Sequence, residues 1–408
     1  MLRLRMRWMT SRGLPGFLPF ICIGMGWARV WEGWGGAVAV AVEGRSEGRA
    51  DVSGGAVRAL PGSGVACFEE GVSVGRGGDT LRQLETATEG DSLDWNEREV
   101  ITVNGIIRPE EMGVTQTHEH LFLDAMDHYP GYGYQLVIDD EEMMAKEIAE
   151  YTRLGGRTIC DVTLDEIGRD PKRLARFSQR TGIHVLMGCG WYREFGYPAV
   201  VKEKTSRELA EILVKEIEVG VGDTGIRAGF IGEIGTGRHS ILPGEERVFR
   251  AAALAQAQTG VAITTHTTRW GTLAMEQIAL LAEYGADLSR VIIGHLGDRV
   301  GVPHLLPIAE KGVYVEVDNI GYLDYQPEWV RADNVANLVH AGFVKQVLLS
   351  EDICMLNHLK YTGGKGYGYI LEVFVPMLRE RGVTDEQIHQ MMVTNPANVF
   401  SRRVRGGV

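Results

Sequence analysis

No run of about 20 consecutive apolar residues occurs in this chain, so no segment reads as a membrane-spanning helix. Basic residues are in deficit. The chain has 42 Lys and Arg against 54 Asp and Glu, a net charge of −12. Binding phosphate backbones takes clustered Lys and Arg, so a nucleic-acid partner is excluded. Cysteine is scarce: Cys22, Cys67, Cys160, Cys189 and Cys354 are odd in number and irregular in spacing, with no CxxC pair. That removes a zinc ribbon or a thioredoxin-like site and favours a reducing compartment. Cys160 and Cys189 lie inside apolar strand-like runs, where buried free cysteines commonly sit. What remains, 44% apolar and 24% charged over 408 residues, is globular and fits one large or two medium domains.

Residues 1–96 form a distinct N-terminal extension. They show no sustained period of 2 or 3.6 and hold five of the eight tryptophans: Trp8, Trp27, Trp31, Trp34 and Trp95. The opening MLRLRMRWMTSR is basic and acid-free, and the apolar GLPGFLPFICIGMG follows, an order similar to a signal peptide. An Arg-rich start also suits a mitochondrial presequence, although Pro15 and Pro19 oppose the helix that either would need. Three readings stand: a disordered extension, a targeting peptide, or a start codon placed too far upstream. Each puts the catalytic domain at residues 97–408. The location is cytoplasmic, or exported or organellar if the extension is a targeting peptide.

From Val100 onward, strand and helix patterns alternate. VITVNGII, with β-branched residues around Asn-Gly, predicts a small hairpin. Eight apolar strands are predicted at 114–120, 158–164, 184–192, 228–235, 261–267, 291–297, 313–319 and 346–352. Between them MMAKEIAEYTRLG and SRELAEILVKEIEVG have helical spacing and end in Gly, a helix stop signal. Asp170-Pro171 predicts an N-cap and first helical residue. Eight strand–helix repeats imply a (β/α)₈ TIM barrel of the α/β class. A doubly wound open sheet would leave the placement of the polar residues described next unexplained.

Six potential metal ligands close five of these runs: His118 and His120, Glu233, His266, His295 and Asp352. Strand ends converge at the C-terminal face of a barrel, where catalysis takes place. In His118-Glu119-His120, period 2 sends both imidazoles to the barrel axis and Glu119 away. Four histidines and two carboxylates exceed what one tetrahedral zinc takes. They suit two ions roughly 3.5–4 Å apart with a bridging hydroxide as nucleophile. Glu233 is placed to bridge, and Asp352 to ligate and to accept the water's proton. Asp298, three residues past His295, is placed to carry that proton onward or to orient a ligand. The bland alternative for Asp298 is a helix N-cap.

HxH on the first strand, GEIGT on the fourth, single His on the fifth and sixth and Asp on the eighth resemble the phosphotriesterase family of the amidohydrolase superfamily. GVTQTHEHLFLD, CDVTLDEIGRDP, GGKGYGYILEVFVPMLRERGV and TNPANVF resemble it too, so the similarity spans about Val100 to Phe400. The resemblance implies His118, His120 and Asp352 on one ion and His266 and His295 on the other. Where the best-known members carry a carboxylated lysine, this chain has Glu233, as in the phosphotriesterase-homology branch. Tyr192 in CGWY matches a tyrosine that lies beside the metals near the substrate carbonyl in lactonase relatives. Asn319 stands where relatives often carry His or Arg. Glu351 stands where many have His, and strand alternation points it away from Asp352 into packing or a salt bridge.

The expectation is therefore a hydrolase with two divalent ions, zinc first and manganese or cobalt as alternatives. It is expected to use a bridging hydroxide on lactones or carboxylic esters, with side activity on phosphotriesters. The alternative is an N-acyl amide hydrolase, with Arg193 or Arg269 as the cation for an acidic substrate end. A metal-stabilised scaffold without catalysis is the reading from outside enzymology, and the full ligand set argues against it. Loops 320–330 and 354–365, with Tyr322, Tyr325, Trp329 and Tyr361, are expected to line a partly apolar pocket. The partner is a small-molecule substrate, and the resemblance leaves room for a homodimer.

Overall fold

The computed structural model describes residues 95–404, together with five short backbone strands between residues 21 and 67. The chain divides into two units, Met1–Gly75 and Arg76–Val408. In the first, Ile21–Ile23, Gly26–Glu32 and Val38–Glu43 form an antiparallel sheet, and Arg58–Ala59 pairs with Ala66–Cys67. The side chains of Cys22 and Cys67 lie outside the described residues.

The second unit contains one eight-stranded parallel sheet in sequential order. Its strands are β1 (Val114–Glu119), β2 (Gly156–Asp161), β3 (His184–Cys189), β4 (Phe230–Gly235), β5 (Ala262–His266), β6 (Val291–Ile293), β7 (Tyr314–Val317) and β8 (Val347–Leu349). Each falls within, or within two residues of, its expected run. The sheet rolls into a nearly closed (β/α)₈ barrel. Parallel neighbours need crossovers, and helices α1 (Glu141–Arg153), α2 (Pro171–Thr181), α3 (Ser206–Glu218), α4 (Pro243–Thr259), α5 (Ala274–Glu283) and α6 (Glu328–His340) supply most of them. Asp170 caps α2 by accepting the Arg173 N–H, with Pro171 following. Thr205 and Glu208 form a capping box on α3.

Apolar residues inside the barrel, among them Cys160, Leu186, Phe230, Ile292 and Leu348, pack onto Val100, Met112 and Phe400. A second layer lies between the strands and the helices. The hairpin pairs Arg98–Thr102 with Gly105–Ile107. Its turn is Val103-Asn104 rather than Asn-Gly, with Gly105 (φ +117°) opening the second strand. Arg402–Arg403 adds a third strand, and Arg402 pairs with Glu99 at 2.9 Å and Glu218 at 2.7 Å. The two ends of the domain are thereby joined.

Between β1 and β8 the barrel closes largely through side chains. The Ser350 hydroxyl accepts the His118 N–H at 2.9 Å and lies 2.9 Å from His118 O and 2.6 Å from Glu119 Oε1. Glu119 also accepts the N–H groups of Glu351 and Ile353 at 2.7 and 2.8 Å. Asp352 N–H donates to His118 O at 3.2 Å.

Gly156 opens β2 where no side chain fits. A Cβ there would lie 2.2 Å from the ring of buried Tyr151, whose hydroxyl bonds the carbonyls of Val114 and Thr158. Gly156→Ala is expected to destabilise the domain by about 1–3 kcal/mol through overpacking, read as a lower urea midpoint. An unchanged midpoint would refute this account of the contact.

Candidate metal centre

Irregular backbone aims the ligand side chains. The β1–β2 ladder pairs Ile159 with Gln116 but Asp161 with Glu119, so β1 holds one extra residue. Such a bulge turns a side chain from its alternating position. Thr117 and His118 consequently both reach Glu316 on β7, at 2.6 and 3.0 Å. The β4–β5 ladder pairs Ile231 with Ile263 but Ile234 with Thr265, a second bulge, which contains Glu233. His295 (φ +59°) and Asp352 (φ +49°) adopt the left-handed region that non-glycine residues seldom enter.

These distortions bring the six residues together. Glu233 lies at the centre: Oε1 is 3.6 Å from His120 Nε2, and Oε2 is 3.4 Å from His118 Nε2, 2.9 Å from His266 Nδ1 and 3.6 Å from His295 Nε2. Asp352 Oδ1 lies 3.5 Å from His120 Nε2 and 3.9 Å from His118 Nε2. His266 Nδ1 and His295 Nε2 are 2.8 Å apart.

The donor set fits divalent ions. His118 Nε2 is buried without a hydrogen-bond partner and faces two carboxylates. The ligand atoms of His118, His120 and Glu233 lie within 4.8 Å of one another, as do those of Glu233, His266 and His295, and those of His118, His295 and Asp352. One carboxylate between two groups of imidazoles is the arrangement a pair of cations needs.

Outer partners fix the ring orientations. His118 Nδ1 donates to Glu316 at 3.0 Å and His295 Nδ1 to Asp318 at 3.1 Å. Both oxygens of Asp318 also receive the His295 N–H, at 3.0 and 2.8 Å. His120 Nδ1 lies 2.8 Å from Thr163 Oγ1, and the Thr163 hydroxyl bonds the buried Asp161. A ring that donates from one nitrogen presents the other as a lone pair to a metal. Sequence reasoning missed Glu316, Asp318, Asp161 and Thr163. The first two had a signal: in YVEVD they alternate with Val315 and Val317, so they share the interior face.

The charges are mutually adjusted. Burial alone would raise Glu233, but the His118 and His266 imidazoles hold it well below the usual carboxylate range. Burial likewise opposes Asp318, and His295 keeps it low. Burial and the neighbouring His295 push His266 down to about 4, which leaves it neutral.

The remaining expected residues have definite places. Tyr192 Oη lies 3.4 Å from both His266 nitrogens and 3.1 Å from Tyr129 Oη. Asp298 does not reach a ligand. Its Oδ1 accepts Arg331 Nε and its Oδ2 accepts Asn319 Nδ2, both at 2.8 Å, so neither the N-cap nor a direct bond to His295 describes it. The carboxylate on His295 is Asp318. Glu351 points away from the centre and, among the described residues, forms no salt bridge. It accepts from Gln116 Nε2 and the Ile370 N–H, and burial keeps it protonated well above the ordinary range. Tyr322 donates to the Asp352 carbonyl and stacks on Tyr325, whereas Trp329 and Tyr361 are 50% and 54% exposed and belong to the outer surface.

Residues 98–400 match the model of the phosphotriesterase family. The phosphotriesterase homology protein of Escherichia coli is 37% identical over 288 residues, which cover 71% of this chain and 98% of that protein. The N-acetyltaurine hydrolase of Dictyostelium discoideum is 28% identical, covering 74% of this chain and 97% of its own. A lactonase crystal structure from Listeria monocytogenes aligns with a TM-score of 0.69 and 30% identity, over 74% of this chain and 98% of that one.

Asp318→Asn is expected to weaken metal binding about 10–100-fold, measured by chelator competition, because His295 loses its orienting carboxylate. Equal affinity would remove Asp318 from that role. Glu166 tests the support under Tyr192. Its carboxylate accepts the Tyr192 N–H, its other oxygen is buried without a partner, and burial pushes its pKa up to about 7. A carboxyl raised on folding contributes stability in full below its unfolded value of about 4.3, and that contribution is lost as pH rises through the folded value. Glu166→Gln should therefore gain about 1–3 kcal/mol on the wild type between about pH 5 and about pH 8 in urea unfolding. A difference independent of pH would contradict the assignment.

Proposed function

The chain belongs to the phosphotriesterase family of hydrolases, and from that premise we propose that it opens lactones or carboxylic esters at a two-ion centre. The observation that carries this reading is the Glu233 carboxylate set between the imidazoles of His118 and His120 and those of His266 and His295. An unmodified carboxylate serves where a modified lysine would otherwise be needed. His118, His120 and Asp352 would hold one ion, His266 and His295 the other, and Glu233 both. Zinc is the proposed metal, with manganese or cobalt as alternatives. When bound, the ions supply Lewis-acid polarisation of the scissile carbonyl and lower the pKa of water at the centre.

The protein's own groups do the rest. The Asp352 carboxylate is placed to take the proton of the attacking water, since its Oδ1 faces the same space as His118 and His120. The Tyr192 hydroxyl, 3.4 Å from His266 and hydrogen-bonded to Tyr129 Oη at 3.1 Å, is the group we assign to donate to the carbonyl oxygen by turning from Tyr129. Asp298 acts as a positioning residue. Arg331 and Asn319 occupy its oxygens, and the Asn319 amide cannot pass a proton onward as an imidazole would.

A second reading, hydrolysis of N-acyl amides with an acidic end, is favoured by the unpaired guanidinium of Arg193 beside the centre and by the N-acetyltaurine hydrolase among the relatives.

Turnover by the metal-loaded full chain, followed as proton release for lactones, aryl esters and phosphotriesters and as free amine for N-acyl amino acids, tests these readings. Lactone or ester turnover well above triester turnover is expected. Preference for the amides would favour the second reading. Asp352→Asn should lower kcat by about 10²–10⁴-fold with an unchanged melting temperature. A fully active variant would refute its role as base.

A further inference from the structure

We propose that Arg193 is a specificity-determining residue that binds an anionic group on the substrate, a carboxylate, sulfonate or phosphate monoester set a few atoms from the scissile carbonyl. The proposal rests on the carbonyl-hydrolase reading of the centre.

Arg193 follows Tyr192 just beyond β3. Its aliphatic stem crosses Gly235, where a Cβ would lie 2.9 Å from Arg193 Cγ and 3.1 Å from His266 Cβ. The stem is thus seated beside the strand end that carries His266. Nη1 lies 3.5 Å from Tyr129 Oη, which is 3.1 Å from Tyr192 Oη, which in turn is 3.4 Å from His266. The guanidinium stands three contacts from a residue of the centre. The Phe195 ring, 5.1 Å from its central carbon, flanks it.

A counter-ion is missing there. Among the described residues no carboxylate forms an ion pair with Arg193, and its buried Nε has no hydrogen-bond partner. Nearby acids are committed to backbone N–H groups: Glu194 to Gly244, Glu245 to Gly237 and Leu242, and Glu166 to Tyr192. Three other shielded arginines are paired, Arg169 with Glu216, Arg331 with Asp298 and Glu328, and Arg402 with Glu99 and Glu218, while Arg98 bonds Ser401 instead. Burial opposes the charge of Arg193, the neighbouring Tyr192 and Tyr129 oxygens and Glu245 keep it charged, and its planar fork, in ion-pair contact with no carboxylate, matches a carboxylate, sulfonate or phosphate. A substrate anion supplies the missing partner. Arg269, after β5, lies over Tyr325 and Trp270, and Arg238, after β4, also lies over Trp270, at 4.3–4.8 Å from the ring centres. These cations make the approach locally positive on a chain of net charge −12.

The test uses the metal-loaded full chain as wild type, Arg193→Gln and Arg193→Lys. N-acetyl-2-aminoethanesulfonate, N-acetyl-β-alanine and N-acetyl-2-aminoethyl phosphate are each compared with neutral N-propylacetamide. The ratio of kcat/KM for anionic over neutral substrate should fall about 10- to 100-fold in Arg193→Gln and recover partly in Arg193→Lys. The three anions identify which group the site takes. A ratio unchanged by Arg193→Gln overturns the proposal. Calorimetric titration with pentane-1-sulfonate gives a readout free of turnover: binding to wild type, weakened by a similar factor in Arg193→Gln, is expected. Equal binding to both proteins, or none to wild type, overturns the proposal. Absence of turnover on these four amides counts against amide hydrolysis and leaves the lactone and ester reading to its own assay, while the sulfonate titration still judges Arg193 on its own.

Discussion

Ser350 and Glu119 join the first barrel strand to the last, and the centre depends on that junction. His118, His120 and Asp352 sit on opposite sides of it, and they act together only if the two strand ends keep a fixed separation. A backbone ladder would do this along the whole strand. Here β8 is only three residues long, and the closure passes through one hydroxyl, one carboxylate and the Asp352 N–H on His118 O. Glu119 is buried, and burial holds its pKa up at about 7 against the hydrogen bonds it accepts. It spans the segment before and after Asp352, which places that aspartate in its left-handed turn.

Buried acids distribute the charge of the site. Glu316 lies beneath His118 and Asp318 beneath His295, the Thr163 hydroxyl lies beneath His120, and Glu233 lies among the four rings. Desolvation opposes every one of these charges; pairing with imidazole overcomes it at Glu233 and Asp318, whereas burial keeps Glu316 raised. The neutral, depressed His266 is the exception. It has no outer carboxylate and instead meets the Tyr192 hydroxyl, the side from which a substrate carbonyl would approach.

The rim is built differently. Tyr322 links the Asp352 carbonyl to Tyr325, Tyr325 to Arg269, and Arg269 to Trp270 and Arg238 through stacked rings and guanidinium groups. This wall is both aromatic and cationic. It joins an apolar lining to positive charge through contacts of guanidinium with ring.

The eight strands and the six side chains that gather at the centre were legible in the sequence because both follow from short-range rules. Parallel barrel strands are buried on both faces and read as apolar runs, and a polar residue closing such a run stands out. The flat period of 2 also placed Glu119 and Glu351 away from the axis. It could not show that Glu351 would lack a cation, since its partners Gln116 and Ile370 come from distant segments. Nor could it show which carboxylate serves His295: Asp298 is nearer in sequence, but the next strand over brings Asp318 under the ring, while Arg331 from α6 claims Asp298. The bulges at His118 and Glu233 and the left-handed turns at His295 and Asp352 oppose local preference and exist only because neighbouring strands hold them. The amino-acid sequence alone determined the barrel and which polar side chains close its strands, through hydrophobic periodicity and strand-end chemistry. Tertiary structure alone decided their aim, their outer partners and the unpaired charge of Arg193, because each depends on contacts between residues far apart in the chain.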